Sequence, residues 1–345
     1  MAGQTGQEGR LGTVSRRPTI DDVARAAGVS RGTVSRVLNG GHWVSPDSLS
    51  AVKAAIRKTG YRINPHARSL ATARAGSVAF LLTQSENRLF EDPNFAVLMR
   101  GAATGLAEQD ISLVMLLAGT EAEQRRAIHF ITAGHVDGAL LISSHASHHH
   151  LLSELVTARV PIASIGVPLG FERTIAHVSA QDTVGAIDAV AYLQSIGRTR
   201  IATITGAQDT GGGMARLQGY KEQVGVVDPA LIEEGDFTWD SGVEATRRLL
   251  ERTPDLDAIF AANDLMAAGA IAALTEEGKR VPEDVAVVGF DDSSVALSTT
   301  PKLTTLRQPF DRVTREVVRL LLEVIEGQAP AAMSLPLDLV IRDSA

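Results

Sequence analysis

The chain has 345 residues, 44% of them hydrophobic, with no cysteine and a formal net charge of −7. That length exceeds what one hydrophobic core usually serves, so more than one domain is expected. The lack of cysteine excludes a disulfide framework and thiolate metal sites, and the apolar runs are far too short to cross a membrane. The overall charge argues against a nucleic-acid partner, but its distribution reverses that argument. Residues 16–74 carry eleven Arg and Lys against Asp21, Asp22 and Asp47, a net +8, which leaves −15 on residues 75–345. A basic head on an acidic body is the footprint of a nucleic-acid module joined to something else.

Residues 1–17 are rich in glycine, glutamine and basic side chains and read as a disordered lead-in. They hold no apolar signal core, so a cytoplasmic protein is expected. The stretch Thr19–Asn39 then reads as helix, tight turn, helix. Thr19, with Asp22 three positions on, forms a capping-box variant. Ile20, Val23, Ala24 and Ala27 recur at helical spacing. Gly28 suits a left-handed turn, and Ser30 is placed to cap the second helix, Arg31–Leu38. That helix buries Val34, Val37 and Leu38. Its other face carries Arg31, Thr33, Ser35 and Arg36, with Asn39 just beyond, donors suited to phosphates and base edges. A glycine turn between two short helices, the second basic on one side, is a helix-turn-helix. Ser45-Pro46 opens a third helix that runs to Gly60 and closes a small core. Residues 63–75, with the alanine-rich segment from Pro65 to Arg74, form a helix-competent link too short to be stable alone in water.

From Gly76 short apolar runs alternate with helical patterns. The runs are Val78–Leu82, Leu113–Leu117, Ala139–Ile142 and Ile162–Ile165, then Ile201–Thr205, Ile232–Glu234, Ala258–Ala261 and Val285–Val288. Helices are expected near Phe95–Glu108, Ala122–Thr132, His148–Ala158, Met214–Val224, Ser241–Glu251, Leu265–Glu277 and Asp311–Glu326, with a last strand near Leu337–Val340. This alternation predicts two doubly wound parallel-sheet subdomains in series. The expected division is residues 1–17 as lead-in, 18–62 as DNA-binding domain, 63–75 as a helical link and 76–345 as core. Within the core, one subdomain is expected over about 76–164 and 291–325, the other over about 165–290 and 326–345.

Taken in order, TIDDVARAAGVSRGTVSRVLN, VSPDSLSAVKAAIRKTGYRINPHARSLA, VDGALLIS, AANDLMAAGAI and VAVVGFDD resemble the lactose-repressor/galactose-repressor (LacI/GalR) family from about Pro18 onward. The resemblance implies an all-α helix-turn-helix head with a hinge helix, followed by an α/β core like that of periplasmic binding proteins. It implies a homodimer on a roughly palindromic double-stranded operator. The DNA contacts it implies are Thr19, Ser30, Arg31, Gly32, Thr33, Ser35, Arg36, Asn39, Tyr61 and Asn64, with Ala67 and Leu70 of the hinge in the minor groove. Gly32 departs from the pattern in having no side chain to read with, which leaves base choice to Arg31 and Arg36. An apolar wedge at Leu70 would unstack and bend the operator.

The implied effector positions are Phe95, Arg216, Phe237, Asn263, Asp291, Gln308 and Phe310. Phe237 offers a face on which a sugar ring can stack. Arg216, Asn263 and Asp291 supply fixed donors and acceptors suited to vicinal hydroxyls. Asn263 is also placed to cap the next helix, and Asp291 to turn the chain after a strand. The long loop Ser85–Phe95 looks like that of family members sensing disaccharides such as cellobiose. The glycine-rich loop Gly206–Gly213 lacks a following Gly-Lys-Ser/Thr and reads as room for a larger ligand, not as a phosphate loop. His145, His148, His149 and His150 read as a solvated loop rather than a metal site. No catalytic motif stands out, and no cofactor and no metal are expected. The reading is a repressor of carbohydrate-utilisation genes whose operator affinity a small sugar changes. The alternative is a sugar- or purine-binding regulator whose ligand acts as co-repressor. No leucine heptad trails the last strand, which favours a dimer over a tetramer.

Overall fold

The computed structural model describes residues 18–38, 43–61, 74–84, 86–142 and 145–345. Two compact units divide at Arg74 and Ala75. The expected hinge contacts Asn64, Ala67 and Leu70, the position Asn39 and the lead-in 1–17 lie outside the described residues.

Among the described residues, the first unit holds three helices, α1 (Ile20–Ala27), α2 (Arg31–Leu38) and α3 (Pro46–Thr59). The Thr19 hydroxyl accepts from the amide of Asp22, and the Asp22 carboxylate accepts from the amide of Thr19, so two free amides at the start of α1 are satisfied. Gly28 ends α1 with a φ of 68°, a conformation that costs glycine nothing and other residues about 1–2 kcal/mol. Val23, Ala24, Val34, Val52 and Ala55 are buried between the helices, with Tyr61 packed against them. This small core leaves the outer face of α2 to its polar residues.

In the second unit the first sheet is six-stranded and parallel, in the order β2 (Ser112–Leu117), β1 (Ser77–Leu82), β3 (Gly138–Ile142), β4 (Ile162–Ile165), β5 (Ala176–Ala180) and β11 (Ala332–Leu335). Helices α4 (Glu86–Glu91), α5 (Pro93–Ala107), α6 (Glu121–Phe130), α7 (His149–Thr157) and α12 (Phe310–Ile325) belong with it. Side chains alternate along β1: Val78, Phe80 and Leu82 pack with α5 and α12, and Ala79 and Leu81 with α6 and α7. Burial of both faces is why these strands read as unbroken apolar runs.

The second sheet, β7 (Ile232–Glu234), β6 (Ile201–Thr205), β8 (Ala258–Ala261) and β9 (Ala286–Val288), is also parallel. It is covered by α8 (Asp182–Ser195) and α9 (Gly211–Val224) on one face and by α10 (Trp239–Arg252) and α11 (Asp264–Glu276) on the other. A short antiparallel pair, β10 (Thr305–Arg307) and β12 (Asp338–Val340), completes this half.

The subdomain limits differ from those expected. Residues 165–180 stay with the first sheet, because β5 pairs with β4, and β11 returns to the same sheet instead of joining the second. The chain therefore crosses between halves near Gln181, at Gln308–Pro309 and at Pro336–Leu337, each later than the expected 164, 290 and 325. Residues 291–307 accordingly lie with the second half, where β10 and β12 pair. The cause is local. β5 is the polar-interrupted sequence AHVSA, and β11 is an edge strand exposed at alternate residues, so neither carries the apolar run of a central strand.

Candidate functional site

In the head, Ser30 caps α2 through a 3.1 Å bond from the Thr33 amide, and its hydroxyl lies 2.9 Å from that of Thr33. Arg31 and Arg36 are exposed, Gly32 lies between them, and Thr33 and Ser35 are half-buried at the same helix. Among the described residues Arg31 has a loose pairing with Asp21 at 4.0 Å, and the Arg36 Nε donates to the Gly32 carbonyl at 3.3 Å. Exposed guanidinium groups so weakly engaged are available to phosphates or guanine edges. Thr19 and Tyr61 are half-buried: Thr19 is occupied by its cap and Tyr61 by the head core.

In the second unit, Phe95, Arg216, Phe237, Asn263, Asp291, Gln308 and Phe310 all line one cleft between the two sheets. The space left between these side chains amounts to about 130 Å³. Its centre is Arg216, on α9, which is buried rather than on the surface of its helix. The Nε donates to Asp182 Oδ1 at 2.8 Å, and Nη1 donates to the Ala262 carbonyl at 2.5 Å and lies 3.5 Å from Asp291 Oδ1. The guanidinium carbon stands 3.8 Å above the Phe290 ring, a cation–π contact.

Asp291 is held from three directions. Asn94 donates to its Oδ2 at 2.9 Å and Gln308 to its Oδ1 at 2.6 Å, with Arg216 beside them. Burial pushes its carboxyl well above the usual range; Arg216 opposes that shift, and Asp264 and Asp92 add to it. Asp182 is also pushed up by burial, against the pull of Arg216. Behind Asp291, Asp264 accepts from the Thr305 hydroxyl at 2.5 Å and the Ser293 amide at 2.6 Å, and burial pushes it up to about 7.

Asn263 caps α11, accepting from the Met266 amide at 2.9 Å, and its amide nitrogen donates to the Phe237 carbonyl at 2.9 Å. One asparagine thus starts a helix and fixes the backbone of Phe237. Phe237 and Asp291 adopt φ of 72° and 112°, left-handed conformations that cost a non-glycine residue roughly 1–3 kcal/mol and gather at functional sites. The glycine-rich loop has specific packing reasons. A side chain at Gly206 would overlap the Phe237 ring, and one at Gly213 would strike the Ala207 carbonyl. Gly212 leaves open the space above Arg216 and Asp182.

Several cleft residues escape the sequence reading. Asp182 and Asn94 carry the central network, yet each lies beside an element start whose cleft partner is distant in sequence. The histidine run is not a solvated loop throughout: His148 is buried, and His145 enters the cleft wall, bonded to Asp209 Oδ1 at 2.8 Å and to Gln84.

Two protein families match parts of the chain. The model for bacterial regulatory proteins of the lacI family matches residues 19–64, and that for a periplasmic binding protein-like domain matches residues 190–345. The chain is 43% identical to the HTH-type transcriptional regulator CelR of Thermobifida fusca over 336 residues, 95% of this chain and 98% of that protein. It is similar to the solved transcriptional regulator CelR–cellobiose complex, with a TM-score of 0.77 and 41% identity over 95% of this chain and 100% of that one. It is also similar to the lac repressor dimer bound to operator and the anti-inducer ONPF, with a TM-score of 0.84 and 28% identity over 95% and 99% of the two chains.

Proposed function

Because the chain belongs to the LacI family of bacterial transcriptional regulators, we propose that it is a cytoplasmic homodimeric repressor of carbohydrate-utilisation genes, released from its operator by a neutral sugar of disaccharide size. Its work is binding, without turnover. The DNA contacts proposed are Thr19, Ser30, Arg31, Gly32, Thr33, Ser35, Arg36, Asn39, Tyr61, Asn64, Ala67 and Leu70. The effector contacts proposed are Phe95, Arg216, Phe237, Asn263, Asp291, Gln308 and Phe310.

The observation that carries the effector reading is the state of Arg216. Its charge is met by Asp182 and Asp291, and no lysine or second arginine is among the described residues lining the cleft. A phosphate would find no unpaired cation there. A neutral polyol finds what it needs: Phe95 and Phe237 as apolar faces, and amide and carboxylate groups fixed by their own hydrogen bonds. Cellobiose, the sugar of the solved CelR complex, has this chemistry. For such a ligand to release DNA it must prefer the conformation with low operator affinity; equal binding to both conformations shifts nothing.

The test is fluorescence anisotropy of the full chain on a labelled palindromic fragment from upstream of its own coding region, titrated with mono- and disaccharides. Tight, salt-dependent binding reversed by cellobiose is the expected result. Tight binding that no neutral sugar reverses overturns the effector reading, and binding no tighter than to random DNA overturns the repressor reading.

A further inference from the structure

At one wall of the cleft the two halves of the core touch through a contact that none of the proposed ligand residues makes. His145 follows β3 of the first sheet, and Asp209 precedes α9 on the second. The His145 Nδ1 lies 2.8 Å from Asp209 Oδ1, and the Ala146 amide donates to the Asp209 carbonyl at 2.8 Å. His145 and Thr210 face one another as an isolated antiparallel β-bridge, and both line the cleft. The second ring nitrogen, Nε2, meets the Gln84 side-chain amide, and the edge of His148 packs on the ring with centroids 5.5 Å apart.

We propose that His145 and Asp209 form a clasp that closes the cleft on its ligand and sets how long that ligand stays. The proposal rests on the reading of the cleft as the effector site. Both nitrogens of the His145 ring are engaged by protein groups, Nδ1 by Asp209 and Nε2 by Gln84. A neutral imidazole has one donor and one acceptor, so nothing of the ring is left to read a hydroxyl, and its work is between the subdomains. His148 behind it is held toward the neutral form, chiefly by burial and then by His145, so it packs against the ring as an uncharged neighbour. Hydrogen bonds lose their strength beyond about 3.5 Å. A small parting of the two halves therefore breaks the His145–Asp209 side-chain bond and the backbone bond together. Contacts present only in the closed form stabilise that form and act on ligand release. His145 and Asp209 are thus positioning residues for the effector.

The experiment uses the full chain and has two arms. In the first, cellobiose binding and release are measured for His145→Ala, Asp209→Ala and the double variant, with the exposed His150→Ala as control. Each single variant is expected to speed release about tenfold, equivalent to about 1.4 kcal/mol, with association changed less than twofold. The double variant is expected to match the singles, because one contact is lost in each case. A merely structural role would instead lower the melting temperature and give additive effects. The second arm starts without sugar. The chain has no cysteine, and facing residues of an antiparallel pair have Cα atoms about 4.5–5.5 Å apart, within disulfide reach. The His145→Cys/Thr210→Cys variant is expected to oxidise readily, and His145→Ala to speed exchange of the Ala146 amide. Oxidation with cellobiose bound is expected to slow its release at least a hundredfold, reversibly with reductant. Free thiols after oxidation, or unchanged release and amide exchange in the alanine variants, overturn the clasp. If cellobiose fails to bind the unaltered chain, the disaccharide reading falls, and thiol pairing and amide exchange still decide the clasp.

Discussion

Replacing Arg216 by alanine tests the electrostatic argument most directly. The side chain has four contacts: Asp182 at 2.8 Å, Asp291 at 3.5 Å, the Ala262 carbonyl, and the Phe290 ring. Removing one partner of a buried ion pair typically costs about 3–5 kcal/mol, because the other charge is left in a poor solvent. Loss of the cation–π contact adds about 1 kcal/mol. The penalty must depend on pH. Asp182 and Asp291 already stand above their ordinary values through burial, with Arg216 opposing the shift. Without Arg216 both move further up, so the folded variant holds protons that its unfolded chain releases above about pH 4. Stability then falls as pH rises from that point. The deficit against the unaltered chain is expected to be about 4–6 kcal/mol at pH 8 and to shrink as pH falls, because the raised carboxyls of the variant take up protons first. Urea unfolding of both proteins at pH 8 and pH 5 measures this. Operator binding measured by anisotropy is expected to survive within about threefold, while sugar-induced release disappears. Equal deficits at both pH values would show that Arg216 is not the counter-charge of this pair. Intact sugar release would remove it from the effector site.

Other substitutions probe other links. Asp264, pushed up to about 7 by burial, holds a proton in the folded chain between about pH 4 and pH 7 that the unfolded chain gives up, so its contribution to stability falls as pH rises through that window and levels off above it. Asp264→Asn is expected to flatten the melting-temperature profile between pH 5 and 8, with little loss at pH 8. Gly206→Ala, which sets a methyl group into the Phe237 ring, is expected to cost about 1–3 kcal/mol and to weaken sugar binding in calorimetry, with operator affinity unchanged. Thr19→Ala removes the capping box of α1 and is expected to cost the head about 1 kcal/mol, read as an earlier loss of operator binding on heating.

How much of this is legible in the sequence depends on the reach of each interaction. The central strands are legible because both faces are buried: Val78–Leu82 and Ala258–Ala261 are apolar throughout. The head is legible because its signals are local, a cap at Thr19, a turn at Gly28 and a basic face on α2. β5 is missed because His177 and Ser179 break its run, and with it the true crossing points of the chain. Helix α8 is missed because alanines and glycine bury much of it without a strong polar face opposite. The cleft residues expected from family resemblance do lie around one space, but their partners are beyond any local pattern. Asp182 and Arg216 are 34 residues apart, and Asn94 and Asp291 are 197 apart. Only the folded chain brings these charges together.

The crossings also bear on how a ligand in this cleft can act at a distance. Gln181–Asp182 lies at the first crossing and Gln308–Phe310 at the second, so proposed ligand contacts lie where the chain passes from one half to the other. Asp291 belongs to the second half yet is held by Asn94 of the first and by Gln308 between them. A network of this kind is complete in one relative placement of the halves and broken in others. A ligand bonded to Asp291 and Arg216 therefore biases that placement, not merely the local side chains. The start of the core is equally fixed. The Asp137 carboxylate accepts from the amides of Ala75 and Gly76 at 2.6 and 2.7 Å, just before β1. Residues Ala75 and Gly76, where the core begins, are thus tied to the first half. A change in how the first half stands against the second therefore moves the first residues of the core with the first half.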